Sequence, residues 1–421
     1  MKKTIQFLFV LALLASCAGR NEGNFHLTGT IEGAEGRYAL VFPADVMDIF
    51  HGEKPLAKIR IRNNKIDAYL SLDSNSVYEF FVPVQKGAYA SLPFFVDSPK
   101  LYVTYSKSDG RDAKIHTSSE SPLNAFYSSY RESKEKALQD DTAEYRRLFD
   151  SLARANTYYT KEYQILWDRC FVEGASGAER DSLTVLMRKL EMSGEMLTPE
   201  GLAQDSLSNE VRKRQLEYDK AHLCGEKPTM ATFYLTTEAM RMAFRLNHDV
   251  SFWLSHYDEV YKDLFPGCNV HNLAKEAIEG VKIYEGAPYQ DFTLPDTEGN
   301  RVSLSSLIDG KVALLDLWAS WCGPCRSNSR LLVPIYDKYK DVGFTVVGAA
   351  REFKDSEWQK ALAQDAYPWT NLIALGEDHA VWTLYGVANG AGARFLIGPD
   401  GTILKINPTP EEVEAAILAN R

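Results

Sequence analysis

After residue 17 the chain has no apolar run long enough to cross a bilayer as a helix, a span that takes about 20 residues. It also lacks a basic stripe. Acidic residues outnumber basic ones 57 to 47, for a net charge of −10. A nucleic-acid binder needs the opposite balance to displace counterions from phosphates, so nucleic acid is excluded as a partner. Cysteine is scarce, with 6 in 421 residues, and no second C-x-x-C or C-x-x-x-H accompanies the pair at Cys322 and Cys325. A structural zinc site needs four ligands of that kind, and His248 and His256 are not at ligand spacing, so no metal is expected. The glycine-rich stretch "GAGARF" (Gly390 to Phe395) imitates a dinucleotide loop. It leads into a strand, "FLI", and Phe395 holds the last glycine's place, so no cofactor is expected either. What is present is a globular composition, 45% hydrophobic and 25% charged. At about 150 residues per domain the length gives two or three domains.

Residues 1–17 read as a targeting segment rather than as part of the fold. Lys2 and Lys3 precede the apolar run "TIQFLFVLALLA", which is short for a membrane span. The run closes on Leu14-Ala15-Ser16-Cys17, which resembles a bacterial lipobox. That resemblance implies that Cys17 is lipidated and becomes the new N-terminus, leaving the protein tethered in the cell envelope and facing the periplasm. The alternative is an ordinary cleaved signal. Acyl chains contribute about 0.8 kcal/mol per buried CH₂, so several together hold firmly. Cys170, Cys224 and Cys268 remain as an odd set. Two of them could form a disulfide in an oxidising compartment, or all three are buried thiols.

Residues 21–118 are β-rich. Short runs such as "FHLTGTIEG", "AKIRIR" and "VYEFFVPV" are separated by Gly, Asn, Asp and Pro, and "RNNK" predicts a hairpin turn. This predicts a small β-sandwich or barrel-like module. Residues 121–285 change to helical period and read as a helical connector. Ser121-Pro122 and Thr198-Pro199 predict capped helix starts. The recurrence of Tyr145, Phe149, Leu152, Tyr159, Tyr163, Leu166 and Cys170 predicts one long amphipathic helix. Residues 286–421 alternate strand, helix, strand, helix, then a hairpin turning at Pro399-Asp400-Gly401 and a final helix capped at Thr409. That order predicts an α/β fold, a mixed sheet with helices on both faces.

The chemistry lies in "VALLDLWASWCGPCR", a buried strand running into a helix through the cysteines. Cys322 falls at the helix N-terminus, where unpaired N–H groups and the macrodipole stabilise a thiolate. Cys325 follows one turn later on the same face, so the sulfurs can bond. This favours a redox dithiol over half a metal site or packed thiols. Cys322 is then the exposed attacking thiol and Cys325 the shielded resolving thiol. Gly323 and Pro324 fit the first turn, where proline's missing N–H costs little, and Trp321 shields one side. Asp316 lies on the strand behind. It is either a buried acid with a raised pKa that takes the proton of Cys325, or a hydrogen-bonded structural acid.

"APYQDFTLPDTEGNRVSLSSLIDGKVALLDLWASWCGPCR" resembles the TlpA/ResA-like branch of the thioredoxin superfamily, over about the last third of the chain. Residues 21–118 resemble a β-rich domain that precedes such domains in Bacteroidetes lipoproteins. The resemblance implies an extracytoplasmic thiol-disulfide oxidoreductase with Cys322 as nucleophile, Cys325 as resolving cysteine and Asp316 at the buried-acid position. It implies protein disulfides as substrates and an upstream membrane reductant as electron source.

Two departures stand out. Such domains carry a cis-proline facing the dithiol, and here Gly392 holds that place, so the Ala391–Gly392 bond is expected to be trans and the substrate-facing loop reshaped. A proline common in the active-site helix is replaced by Arg330. Arg394, beside the same loop, either points at the dithiol and lowers the pKa of Cys322 or is a surface arginine at a strand end. Two other functions stay open. One is a peroxiredoxin-like thiol peroxidase, against which Ala319 stands where that family has threonine. The other is a non-catalytic lipoprotein with a thioredoxin-like scaffold.

Overall fold

The structure, a computed structural model, describes residues 23–46, 54–85, 88–106, 115–118, 120–175, 177–388 and 390–420. The targeting segment and Cys17 lie outside the described residues. Among the described residues no helix is long and apolar enough to cross a membrane.

Strands β1 (Phe25–Ile31), β2 (Tyr38–Pro43), β3 (Ala57–Arg60), β4 (Lys65–Leu70), β5 (Val77–Gln85), β6 (Ala88–Phe95), β7 (Lys100–Tyr105) and β8 (Ile115–Ser118) form two sheets, ordered β4-β1-β7-β8 and β3-β2-β5-β6. Alternation sets the faces. Every second residue of β1 from Phe25 to Ile31 is buried, as the pleat requires. Phe25 of one sheet stacks on Phe94 of the other at 5.6 Å, within a core common to both. The "RNNK" turn forms, closed by hydrogen bonds between Arg62 and Lys65, but the hairpin expected of it goes no further, since β3 and β4 pair with other strands. Asn63 and Asn64 both take positive φ, 52° and 55°, a conformation asparagine tolerates. The strands leaving that turn enter different sheets, so it makes the corner between them.

Helices α1 (Pro122–Ala137), α2 (Gln139–Ala155), α3 (Lys161–Trp167), α4 (Gly177–Ser193), α5 (Pro199–Leu223), α6 (Met230–Leu246), α7 (Val250–Val260) and α8 (Val270–Gly280) follow. Ser121 and Thr198 cap α1 and α5 ahead of prolines, as expected. The single long helix expected through Cys170 is interrupted. Asn156 turns left-handed at φ 54° and ends α2, Tyr159 bridges to Leu197, and α3 restarts at Lys161 before a π-helical turn at Asp168–Val172. The aromatic period survives because rings pack across the break, Phe149 edge to face with Tyr158 and Tyr159 stacked on Tyr163. The period reports a shared packing face, not an unbroken helix.

The helical region is more than a connector. Residues of α6, α7 and α8 complete the same core as both sheets. Asn124 on α1 accepts the N–H of Phe95 at 3.1 Å and donates to its carbonyl at 2.8 Å, pairing with a strand end as another strand would. Cys224 and Cys268 belong to this core, whereas Cys170 is buried in a separate small core between α3 and α4. No disulfide links any of the three, and Cys170 lies in a different core from the other two.

The C-terminal unit contains β9 (Thr293–Pro295), β10 (Arg301–Ser303), α9 (Leu304–Ile308), β11 (Val312–Trp318), α10 (Gly323–Tyr339), β12 (Phe344–Glu352), α11 (Asp355–Asp365), β13 (Thr370–Leu375), α12 (Ala380–Leu384), β14 (Ala393–Ile397), β15 (Ile403–Ile406) and α13 (Pro410–Ala419). Its main sheet runs β13-β12-β11-β14-β15, with β11 to β13 parallel and β14 and β15 antiparallel. β11 is buried at every position. Ala313, Leu315 and Leu317 face a core with Leu304 of α9 and Trp382 of α12. Val312, Leu314 and Trp318 face another with Leu332 of α10, Trp358 of α11 and Val413 of α13. This is the expected mixed sheet with both faces covered.

The two units meet where α8 touches the end of α12. A Cβ on Gly280 would lie 2.3 Å from the Phe244 ring and 2.9 Å from the Gly386 Cα. No side chain fits without separating backbones. Gly280→Val is therefore expected to destabilise the protein by about 1–3 kcal/mol, the usual range for overpacking, read as a lowered thermal midpoint. Gly310→Ala, at a glycine with open space around it and φ 65°, serves as a control for backbone strain alone.

Candidate active site

Strand β11 delivers the chain to the start of α10, and Cys322 is the N-cap of that helix. Its Sγ accepts the Cys325 backbone N–H at 3.2 Å. This is the orphan-donor arrangement that stabilises negative charge on a capping atom. Pro324 sits in the first turn. Cys322 and Cys325 are joined as a disulfide with Cα atoms 5.3 Å apart. Both cysteines are partly exposed, and Trp321, Gly323 and Pro324 are exposed around them.

Three groups of contacts fix this helix end. Ser320 donates from its N–H at 2.5 Å and its hydroxyl at 2.7 Å to the Glu352 carboxylate, at the end of β12. Glu352 is 1% exposed, and burial pushes its carboxyl up while the Ser320 bonds oppose the rise. Arg326 and Arg330 both bind Asp365 at the end of α11, at 2.6 Å and 3.0 Å, and Tyr367 donates to the same carboxylate at 2.9 Å. Burial raises the Asp365 carboxyl, but Arg326, Tyr367 and Arg330 more than offset it and leave it below the usual range. Arg330, standing where proline was expected, thus anchors α10 to α11. On the other side Thr184 of α4 hydrogen-bonds Ser327 at 2.7 Å, so the first unit reaches the active-site helix. Beside the dithiol a cleft of about 760 Å³ is lined by Trp321, Ser320, Glu352, Phe353, Lys360 and Gln364.

Beneath α10 lies Asp316, 2% exposed on the face of β11 that the helix covers. The Ser329 hydroxyl donates to its Oδ2 at 2.5 Å and also lies 3.0 Å from the Cys325 carbonyl. Burial pushes the Asp316 carboxyl up to about 6, against the opposing pull of Ser329 and of the Arg394 charge. Asp316 is thus both hydrogen-bonded and raised in pKa.

Arg394 is not the surface arginine of the second expectation. It is 3% exposed, neither on the surface nor in the substrate-facing loop. β14 pairs Arg394 directly with Asp316 of β11. The pleat therefore puts the two side chains on one face, under α10. The loop ahead of β14 is the one expected to be reshaped. Ala391–Gly392 is trans, since none of the described peptides is cis. A Cβ on Gly392 would lie 1.9 Å from the Leu317 carbonyl oxygen, so the position admits glycine alone. Trp382 Nε1 donates to the Ala391 carbonyl at 3.2 Å, and Arg351 to that of Ala388 at 2.8 Å. Sequence reasoning missed Ser329, Glu352, Asp365 and Thr184. For Glu352 a signal existed, since Arg351-Glu352 directly follows the apolar run "GFTVVGAA".

Residues 286–406 match the AhpC/TSA family. The chain is 29% identical over 140 residues to the thiol-disulfide oxidoreductase ResA of Bacillus subtilis (strain 168), covering 33% of this chain and 75% of that protein. It is 30% identical over 118 residues to the thiol:disulfide interchange protein DsbE of Pseudomonas fluorescens biotype C, covering 28% of this chain and 63% of that protein. The thioredoxin domain of a thiol-disulfide oxidoreductase from Bacteroides vulgatus aligns at 27% identity and a TM-score of 0.30, covering 32% of this chain and 97% of that one. The C-terminal unit is thus a thioredoxin-like domain of the AhpC/TSA family. The enzyme class is thiol-disulfide oxidoreductase.

A folded-state pKa above the unfolded value makes the native state bind more protons. Asp316 is raised from 3.8 to about 6, so its contribution is most favourable below about 4 and is lost as pH rises to about 6. The loss is on the order of 3 kcal/mol at about 1.4 kcal/mol per pKa unit. Urea midpoints between pH 4 and 7 are expected to show this fall in the wild type, and Asp316→Asn is expected to flatten it.

Proposed function

We propose that this protein is a lipid-anchored oxidoreductase of the cell envelope, facing the periplasm, which reduces disulfides of partner proteins through Cys322 and Cys325. The observation that carries the proposal is the capping geometry, in which the Cys322 sulfur receives the Cys325 N–H at the solvent-facing end of α10. In the reduced enzyme the Cys322 thiolate attacks one sulfur of a partner disulfide. A mixed disulfide forms and the partner's other sulfur leaves as thiolate. Cys325 then gives up its proton to Asp316, and its thiolate attacks Cys322 Sγ. The Cys322–Cys325 disulfide forms and the partner's second thiolate leaves, so the partner gains two electrons and the dithiol loses two. An upstream membrane reductant returns the pair to the dithiol. These steps are thiol exchange throughout and call for no cofactor.

Support for the tether is the Leu14-Ala15-Ser16-Cys17 sequence after a charged and then apolar start. Cys17→Ala is expected to abolish incorporation of labelled fatty acid in cells and to release the protein from the membrane fraction. Continued labelling would remove the lipid anchor from the proposal.

The exchange steps make their own prediction. Cys322→Ser is expected to abolish reduction of a disulfide-bonded protein substrate. Cys325→Ser is expected to accumulate mixed disulfides, visible on non-reducing gels and collapsed by dithiothreitol. A Cys322→Ser protein with wild-type reductase activity would overturn the assignment of the nucleophile.

A further inference from the structure

We infer that Arg394 is a positioning residue for proton transfer: it holds Asp316 as a carboxylate beneath Cys325, ready to accept the proton released when the mixed disulfide is resolved. The inference rests on the dithiol reading above and adds a residue to it.

The geometry is specific. Asp316 and Arg394 are directly paired across the antiparallel β11–β14 ladder. Both lie on the face covered by α10, with Leu314, Trp318 and Leu396 as neighbours in that core. The Arg394 backbone is clamped. Its N–H donates to Asn407 Oδ1 at 3.0 Å, and its carbonyl accepts the Asn407 N–H at 2.7 Å. Two residues earlier, Gly392 is pressed against the Leu317 carbonyl. These contacts hold the strand start, and the register sets the face on which the side chain lies.

The guanidinium itself is sealed from solvent, and its two terminal nitrogens donate to no hydrogen-bond partner among the described residues. A buried cation without direct bonds is costly unless an anion lies in its field. The groups facing this pocket come from four places. β11 supplies Asp316, and α10 supplies Ser329 and Cys325. α4 supplies Arg188, whose charge repels Arg394, and the segment before β13 supplies Tyr367, which feels the Asp316 charge. β12 contributes Gly348 opposite Asp316 and no charge. The carboxylate acting on Arg394 is that of Asp316.

This arrangement has a chemical consequence. A carboxyl group sealed in an apolar core reverts to the neutral acid, which can donate a proton but not accept one. The fixed positive charge of Arg394 opposes that reversion. In the resolving step Cys325–SH and Asp316–COO⁻ become Cys325–S⁻ and Asp316–COOH, and the new thiolate forms the bond to Cys322 Sγ. Because Arg394 makes no hydrogen bond to Asp316, it acts through its charge. A shorter cation at the same place would therefore retain part of the effect.

The test follows the mixed disulfide in the full-length protein. Reduced enzyme is mixed with a disulfide-bonded peptide, quenched with acid at intervals between pH 5.5 and 9, and the mixed species is quantified by mass spectrometry. Arg394→Met is expected to displace the pH profile of resolution upward by about one pKa unit, which lengthens the lifetime of that species about eight-fold at pH 5.5 and only about two-fold at pH 7. Arg394→Lys is expected to recover most of the rate. In an Asp316→Asn background Arg394→Met is expected to add less than about two-fold at pH 5.5, because its target is gone. A resolution profile in Arg394→Met that superimposes on the wild type would overturn the inference. So would an equal slowing in the Asp316→Asn background. Should Arg394→Met fail to fold by near-ultraviolet circular dichroism, the profiles of Arg394→Lys and Arg394→Gln decide by the same criteria. Failure of the dithiol reading has a different signature, since wild-type enzyme would then form no mixed species at any pH.

Discussion

One helix end governs the C-terminal unit. A thiolate at an N-cap is stabilised by donors that belong only to the first turn, and that effect fades within a turn of the terminus. The Cys325 N–H must therefore stay directed at Cys322 Sγ, as it is at 3.2 Å. The surroundings read as a set of clamps on that turn. β12 holds the approach through Glu352 and Ser320. The end of α11 holds the helix flank through Asp365. α4 of the first unit holds the opposite flank through Thr184. Three elements distant in sequence converge on about two turns of α10. The partly exposed cysteines thus sit on a held support while Trp321, Gly323 and Pro324 around them remain open to solvent.

Behind the clamps, stability is given up locally. β11 is buried at every position, and an apolar residue at 316 would suit that environment better than an acid. Burying a carboxylate and a guanidinium together rarely gains stability over a well-packed apolar pair. The pair persists under the helix that carries Cys325, with the Ser329 hydroxyl between Asp316 and the Cys325 carbonyl. A carboxyl near 6 is poised to change protonation state close to neutral pH, as a proton acceptor in a thiol exchange must. Placement in the core supplies the shift, and the opposite charge limits it.

Local order was readable in the sequence, and convergence was not. The W-C-G-P-C helix start, the continuous apolar strand before it, the Asn63-Asn64 turn and the Thr409 capping box are each decided by neighbours within a few residues, and each forms as read. The break at Asn156 was hidden because packing, not chain continuity, set the aromatic spacing. The burial of Arg394 was hidden for a related reason. Which face of β14 it occupies depends on register against β11, 78 positions away in the chain from Asp316 to Arg394, and a shift of one residue would have put it on the other face. Ser329, Glu352, Asp365 and Thr184 belong to the same class: ordinary polar residues given a role by what folds against them.

The glycine in place of proline is best understood from backbone spacing. A proline at 392 would need room for its ring, and even a Cβ there would fall 1.9 Å from the Leu317 oxygen. The loop and β11 are thus packed backbone to backbone, and the change of residue and the closer approach go together. That approach brings β14 into register with Asp316 opposite Arg394. Trp382 and Arg351 then hold the loop carbonyls that a differently shaped turn would leave without partners. Gly392 and the Asp316–Arg394 pair thus belong to one stretch of close contact between the start of β14 and β11. A substitution that forced residue 392 away from Leu317 would act on both the loop and the strand that carries Arg394 opposite Asp316.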